Sequence, residues 1–130
     1  MSQPRVNISL DRTRRVYEPG ELVSFEVRVF STDRPSAVEV SILWYTEGKG
    51  DEDLAVHFFD RVESSTAITD FTGPHRYSVA LPHSPLSYKG VIVKIHWCVR
   101  VRVFLGRGRD FVAEEGFQLG RIPSAAPVSP

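Results

Sequence analysis

Apolar residues recur at every second position along most of this chain. That repeat is typical of a β-strand, in which successive side chains point to opposite faces, and it differs from the helical repeat. The longest run covers residues 91–105, where Trp97 and several valines alternate with polar residues such as Lys94 and Arg100. A helix would scatter the two sets around its circumference. The pattern therefore predicts one long strand with an apolar face and a polar face.

Six shorter segments repeat this alternation, at residues 6–10, 23–29, 38–45, 55–61, 77–81 and 111–119. Each has one apolar face, which another layer of structure must cover. About seven such strands indicate two sheets packed face to face. The sequence thus predicts an all-β, immunoglobulin-like sandwich of about seven antiparallel strands in two sheets.

Turn residues separate these segments. Residues 18–21 read Glu-Pro-Gly-Glu, in which proline presets one backbone angle and glycine accepts a positive φ. Pro82 must end the strand before it, because proline has no N–H to donate to the ladder. Residues 106–110 predict a tight polar reversal before the last strand, and residues 48–53 and 63–73 predict exposed loops.

Length and composition fit a single domain. The 130 residues are too few for two domains, and the content of 42% hydrophobic and 25% charged residues is ordinary for a globular protein. We expect a short tail at residues 1–4, the sandwich at residues 5–120, and a disordered Pro/Ala/Ser-rich tail at residues 121–130.

Overall charge narrows the range of partners. The formal net charge is +0, which gives no reason to expect binding to nucleic acid or to an anionic membrane, so any electrostatic recognition must come from a local patch. The single cysteine, Cys98, rules out a disulfide within the chain. No stretch approaches the roughly 20 apolar residues of a membrane helix, and residues 1–20 lack the apolar core of a signal peptide. We therefore expect a soluble, cytoplasmic protein.

Candidate catalytic chemistry is sparse. Cys98 falls on the polar face of the long strand, and His96 lies two positions away on the same face, roughly 6.5–7 Å apart at the Cα atoms. No third orienting group or oxyanion hole accompanies them, so we expect a partly covered, inert thiol. The four histidines form no recognised metal spacing, and the glycines around Lys49 lack the rest of a P-loop. The sequence predicts no enzymatic activity, no cofactor and no metal.

Two linked motifs resemble a known family. Residues 17–23 read Tyr-Glu-Pro-Gly-Glu-Leu-Val and follow the first predicted strand, while residues 81–90 read Leu-Pro-His-Ser-Pro-Leu-Ser-Tyr-Lys-Gly and lead into the long strand. This order is similar to that of the amino-terminal domain of the arrestin-like superfamily. The resemblance covers roughly residues 5–120. It implies an immunoglobulin-like sandwich and a non-enzymatic adaptor, scaffold or regulator that binds protein tails or complexes.

The sequence differs from that of arrestins in two respects. Arrestins have two such domains, so the chain is a fragment, a stand-alone homologue, or half of an assembly completed by a second copy. The adjacent lysines that sense phosphate in the first strand of arrestins have no match at residues 6–10.

Three arginines just after the first strand form the first candidate partner-binding group: Arg12, Arg14 and Arg15. Arginine binds carboxylates and phosphates through paired hydrogen bonds. We expect residues 5–10 to form an edge strand that accepts an extended partner segment, with these arginines steering an acidic partner. The alternative is a solvated turn whose charges keep an edge strand from pairing with itself.

A second candidate group lies on the polar face of the long strand: Lys94, Arg100 and Arg102, with Arg28 near them. These side chains would form a basic face for an acidic peptide. The alternative is an outer face that is polar because it meets water.

Two further functions stay open. A single lobe with exposed edges would be able to dimerise and so mimic a two-lobed arrestin. A small-molecule or carbohydrate-binding sandwich would use Trp44 and Trp97 as a stacking platform, although both fall on inward faces, where core packing is the usual role.

Overall fold

The structure, a computed structural model, describes residues 3–50, 52–63, 73–90 and 92–121. These residues form nine β-strands and no helix. The strands are β1 (Arg5–Leu10), β2 (Val16–Tyr17), β3 (Leu22–Phe30), β4 (Ala37–Gly48), β5 (Leu54–Glu63), β6 (His75–Ala80), β7 (Tyr88–Lys89), β8 (Val93–Phe104) and β9 (Asp110–Leu119). Periodicity predicted about seven strands, because β2 and β7 have two residues each and contain no repeat that a pattern could reveal.

The strands form two sheets, which confirms the predicted sandwich. The smaller sheet has the order β1-β3-β6, and the larger has the order β2-β9-β8-β4-β5, with β7 also pairing with β8. The pairs are antiparallel as predicted, except that β2 runs parallel to β9. This exception arises because the chain leaves the smaller sheet after β1 and crosses to the edge of the larger one, a path that alternation does not reveal.

The core lies between the two sheets, where their apolar faces meet. On the larger sheet, Val99, Val101 and Val103 are completely buried, and on the smaller sheet Val23 and Val27 are buried opposite them. Each fully buried side chain of this type contributes about 1.5–3 kcal/mol. The same side chains that define the sequence pattern therefore hold the two sheets together.

A β-bulge changes which residues of β5 face outward. Ile42 lies opposite Phe58, but the next residue, Leu43, lies opposite Val56, so His57 has no partner in β4. Residues directly opposite each other in a ladder share a face of the sheet. The bulge therefore breaks the alternation along β5.

Hydrogen bonds bring the two motifs of the sequence together. The N–H of Glu21 donates to the carbonyl of Glu18 at 3.0 Å, and Gly20 takes φ +84°, as expected for this turn. The N–H of Gly20 donates to the carbonyl of Leu81 at 3.1 Å, and the N–H of Leu81 donates to Glu21 at 2.9 Å. The first turn is thus bound to the start of the second motif, where Pro82 follows the end of β6 as predicted.

The rest of the second motif is bound to the larger sheet. The indole N–H of Trp97 donates to the carbonyl of Pro85 at 2.7 Å, and the Ser84–Pro85 peptide bond is cis. The Ser87 N–H donates to the Leu119 carbonyl, and the Leu119 N–H donates to Ser87 Oγ, both at 2.8 Å. This connection therefore closes one end of the sandwich before the long strand β8 begins.

Some sequence predictions fall on other parts of the chain. Parts of these predictions lie outside the described residues: residues 1–2 and 122–130 of the predicted tails, Asp51 and residues 64–72 of the predicted loops, and Val91 of the predicted long strand. The division into residues 1–4, 5–120 and 121–130 stays a prediction. Within the described ranges, no helix is long and apolar enough to cross a membrane.

Candidate functional site

Arg12, a predicted partner-binding residue, folds back onto its own turn. Its guanidinium binds the carboxylate of Glu21 at 2.5 and 3.1 Å, donates to the carbonyl of Val16 at 2.7 Å, and lies 4.6 Å from the centre of the Tyr17 ring. Hydrogen bonding by Arg12 lowers the pKa of Glu21 to about 2. The Tyr17 hydroxyl donates to Asp11 at 2.6 Å, and burial together with this bond raises the pKa of Tyr17. These contacts fix the conformation of the segment that connects β1 to β3.

The neighbouring arginines differ from each other. Arg15 takes φ +55°, and its guanidinium pairs with Glu115 at 2.5 Å. Its carbonyl accepts a hydrogen bond from the N–H of Gln118 at 2.8 Å, which fixes β2 alongside β9. Arg14 is exposed, and no carboxylate of the described chain pairs with it. Within this group, Arg14 therefore carries the uncompensated positive charge.

The second basic group does not form one cluster. Arg100 pairs with Glu114, which lies directly opposite it on β9, and Nε of Arg102 lies 3.3 Å from Asp110. Lys94 is six residues from Arg100 along β8, a separation of about 20 Å. The role of these residues in partner binding stays a prediction.

The placement of Arg28 near this group is wrong. Arg28 belongs to β3 of the smaller sheet, whose inward positions are the apolar ones, so Arg28 faces outward on the opposite side of the sandwich. There it pairs with Glu26 at 2.9 Å. Alternation gives the face of a residue within its own sheet but does not say which sheet its strand joins.

Cys98 is more deeply covered than the sequence predicted. Its side chain is 3% exposed, and burial raises the pKa of the thiol to about 12. Among the described residues, no hydrogen bond joins His96 to Cys98; the His96 ring is hydrogen-bonded to Glu47 at 3.0 Å and packs 5.1 Å from the ring of Tyr45. Across the described residues, no three His, Cys, Asp or Glu side chains are grouped so that they would hold a metal ion.

The two tryptophans belong to the core. Trp97 is 2% exposed, with its indole N–H on Pro85, and Trp44 packs against the same cluster. This agrees with their predicted inward positions.

Three large apolar side chains are exposed on the outermost strand of the larger sheet. Leu54, Val56 and Phe59 of β5 are 52%, 51% and 54% exposed. We call these three residues the β5 stripe. Their ladder partners are Tyr45, Leu43 and Ser41 of β4, in that order, so the three side chains share the outer face of the sheet. Sequence analysis missed the stripe because the bulge gives it a spacing of two and then three residues.

A shallow groove of about 490 Å³ lies on the same outer face, towards the other edge of the sheet. Cys98 and Gly116, which are ladder partners on β8 and β9, lie along it. Tyr45, His96, Arg14 and Gln118 also line it. We call this concavity the outer groove. Tyr45 also lies directly opposite Leu54, so the outer groove and the β5 stripe adjoin.

The fold is that of an arrestin-like sandwich: two sheets, an edge strand at the start, a turn bound to the Leu-Pro motif, and a long central strand. Among solved structures, the chain is similar to Spo0M, the sporulation control protein from Bacillus subtilis, with a TM-score of 0.64 and 18% sequence identity. The match covers 93% of this chain and 51% of the Spo0M chain, so this chain spans about half of that structure. At this identity the likeness shows the fold alone.

Comparisons at the level of sequence add no relative. No protein-family model matches the chain, and no curated protein matches it.

Proposed function

We propose that this chain is a non-enzymatic binding module of the arrestin-like superfamily, acting in the cytoplasm as an adaptor, scaffold or regulator. Two observations support a role without catalysis. The one thiol is buried, its pKa is raised to about 12, and among the described residues no hydrogen bond joins it to His96. The likeness to a protein described as a sporulation control protein agrees with a regulatory role.

The observation that carries this proposal is the β5 stripe. Soluble proteins protect the edges of their sheets with charges, prolines, bulges or short strands, because an open edge pairs readily with another chain. β5 has a bulge at His57 and the charged Arg61 and Glu63 at its far end, but residues 54–59 present no charge on the outer face. Within the described residues, β5 ends the order of the larger sheet, has ten residues, and exposes three large apolar side chains. Such an edge is typical of a surface that a partner covers.

The predicted edge, β1, also ends the order of its sheet in the described chain, but it suits a partner less well. It has six residues, and its outward positions are the polar Arg5, Asn7 and Ser9. Two of the three arginines after it are held by Glu21 and Glu115. We therefore place the partner segment on β5 rather than on β1.

The mechanism is strand addition. An extended segment of the partner pairs with the backbone of β5, and its apolar side chains cover Leu54, Val56 and Phe59 on the outer face. Main-chain hydrogen bonds give affinity in this mode, and the side chains at alternate positions give specificity.

Photo-crosslinking tests this proposal. In one variant, a benzoylphenylalanine residue replaces Phe59. In a control variant, it replaces Val112 of β9, which is 40% exposed on the same outer face but near the other edge of the sheet. The variants are expressed in the native cells, the cross-linked peptides are sequenced, and the captured segment is synthesised. We expect it to bind the purified wild type and the control Val112→Asp, and to bind Leu54→Asp/Phe59→Asp at least about tenfold more weakly. Equal binding to all three proteins would remove the β5 stripe from the mechanism.

Self-association is a second candidate, because the exposed β5 stripe is apolar enough to pair with a second copy. Light scattering over a concentration series separates the two functions. A dimer that Leu54→Asp/Phe59→Asp dissociates supports pairing through β5. A strict monomer excludes self-association and leaves binding to a different partner.

A further inference from the structure

Gly116 is a glycine that the fold itself does not require. It lies within the ten-residue strand β9, and its backbone is not in the left-handed region that favours glycine. A Cβ atom added there would meet the carbonyl oxygen of Trp97 at 3.8 Å, an ordinary van der Waals distance. Glycine inside a strand lowers stability relative to alanine, and it often marks a place where a ligand or another backbone comes close.

The position of Gly116 suggests what the missing side chain leaves room for. Gly116 lines the outer groove, opposite Cys98, between the Glu114 and Gln118 side chains of the same face. A larger side chain at this position would extend into the groove. The groove is thus kept open by the absence of a side chain rather than by a constraint of the backbone.

The charges around the groove identify a class of ligand. Glu114 forms an ion pair with Arg100, and Arg15 forms one with Glu115, while the His96 ring is hydrogen-bonded to Glu47. Arg14 also lines the groove, is exposed, and has no carboxylate partner in the part of the chain that the structure describes. An uncompensated guanidinium favours an oxyanion, which it binds through two parallel hydrogen bonds.

We propose that the outer groove binds an extended peptide whose backbone passes over Gly116 and whose acidic side chain reaches Arg14. The peptide carries an oxyanion, either the carboxylate of an aspartate or glutamate or a phosphate. The shallow shape and the glycine suit a backbone, and the single free guanidinium suits a single acidic group. This site adjoins the β5 stripe but is lined by other residues, so variants at Arg14 and Gly116 test it separately from the proposed function.

Nuclear magnetic resonance of the ¹⁵N-labelled full chain tests the inference. The probe is the peptide Thr-Val-Thr-Glu-Thr-Val-Thr, acetylated at its N-terminus and amidated at its C-terminus so that the glutamate is its only carboxylate, titrated to about 1 mM, a range that detects weak complexes. Matched peptides carry glutamine or phosphoserine in place of the glutamate. The variants are Arg14→Gln, which removes the charge, and Gly116→Val, which fills the groove. Arg107→Gln, in the turn between β8 and β9, is the control of equal charge change.

We expect the glutamate peptide to shift the amide signals of Gly116 and Cys98 and to bind about threefold or more tightly than the glutamine peptide, as befits one exposed ion pair. Arg14→Gln should abolish the preference for glutamate, Gly116→Val should abolish the shifts, and Arg107→Gln should change neither. Tighter binding of the phosphoserine peptide would assign the site to phosphate, and equal or weaker binding would assign it to carboxylate.

Three results would overturn the inference. These are no shift at Gly116 with any peptide, equal binding of the glutamate and glutamine peptides, or the same loss of binding in Arg107→Gln as in Arg14→Gln. Shifts confined to the β5 stripe would also overturn it, although they would agree with the proposed function.

Discussion

Replacing Gly116 by alanine should make the protein more stable, which is the reverse of the usual effect of a substitution inside a strand. The added methyl group meets only the Trp97 carbonyl at 3.8 Å, so it introduces no clash. Alanine also restricts the unfolded chain more than glycine does. For compatible backbones this contributes about 0.4–1 kcal/mol to the free energy of unfolding.

Urea denaturation followed by tryptophan fluorescence measures this effect. With a slope of about 2 kcal/mol per molar urea, the gain corresponds to a rise of about 0.2–0.5 M in the midpoint. Two other glycines serve as controls. A Cβ atom at Gly48 would lie 2.1 Å from the Ile92 carbonyl oxygen, and one at Gly90 would lie 2.7 Å from that of Val93. Gly48→Ala and Gly90→Ala should therefore lower the midpoint.

The result that would refute this reasoning is a clear loss of stability in Gly116→Ala, comparable with the losses in the two controls. Position 116 would then need glycine for the fold itself, and the argument that the glycine serves a ligand would fail.

Three further predictions concern buried and paired groups. Ser87→Ala should lower the free energy of unfolding by about 1–3 kcal/mol in urea denaturation, because the buried N–H of Leu119 loses its partner. The thiol of Cys98 should react with Ellman's reagent only as fast as the protein unfolds. Because its pKa is raised from 9.0 to about 12, its contribution to stability is present below pH 9 and is lost as the pH rises towards 12. Glu21 has the opposite sign: its pKa is lowered from 4.5 to about 2, so its contribution is present above pH 4.5 and is lost as the pH falls towards 2. In Arg12→Gln, the free energy of unfolding should therefore change less between pH 4.5 and pH 2 than in the wild type. An unchanged pH dependence would contradict the assignment of the lowered Glu21 pKa to Arg12.

The sandwich could be predicted from the sequence because the alternation of apolar and polar residues shows directly which side chains of each strand face the core. In β8, Val99, Val101 and Val103 are all buried, and the predicted run of residues 91–105 overlaps the whole strand. The turn at residues 18–21 and the end of β6 before Pro82 were also predicted, since proline and glycine limit the backbone directly.

The pairing of charged residues depends on strand register, which alternation does not contain. The pair of Arg100 and Glu114 depends on the exact position of the turn before β9. The predicted reversal at residues 106–110 would place Leu105 opposite Phe111 and Arg100 opposite Gly116, whereas the structure places Phe104 opposite Asp110 and so Arg100 opposite Glu114. The pair of Arg15 and Glu115 had no signal in the sequence, because it depends on the parallel crossing of β2 to β9. Sequence analysis therefore treated as free several charges that the fold pairs.

The candidate surfaces escaped prediction for a related reason. The β5 stripe follows from a bulge, and a bulge shifts the alternation within a strand. The outer groove brings together the loop before β2 and the outer faces of β4, β8 and β9, which are far apart in sequence. The sequence named Arg14 as a candidate, but its neighbours in the groove depend on the sheet order.

Hydrogen–deuterium exchange on the complex with the cross-linked partner segment is the most direct test of strand addition to β5. When a partner strand pairs with this edge, the amides of Leu54–Glu63 that point away from β4, about every second one, gain hydrogen-bond acceptors. Their exchange should slow while that of Arg5–Leu10 stays the same. Slower exchange in β1 with no change in β5 would contradict the account and would return the partner to the edge that the sequence first indicated.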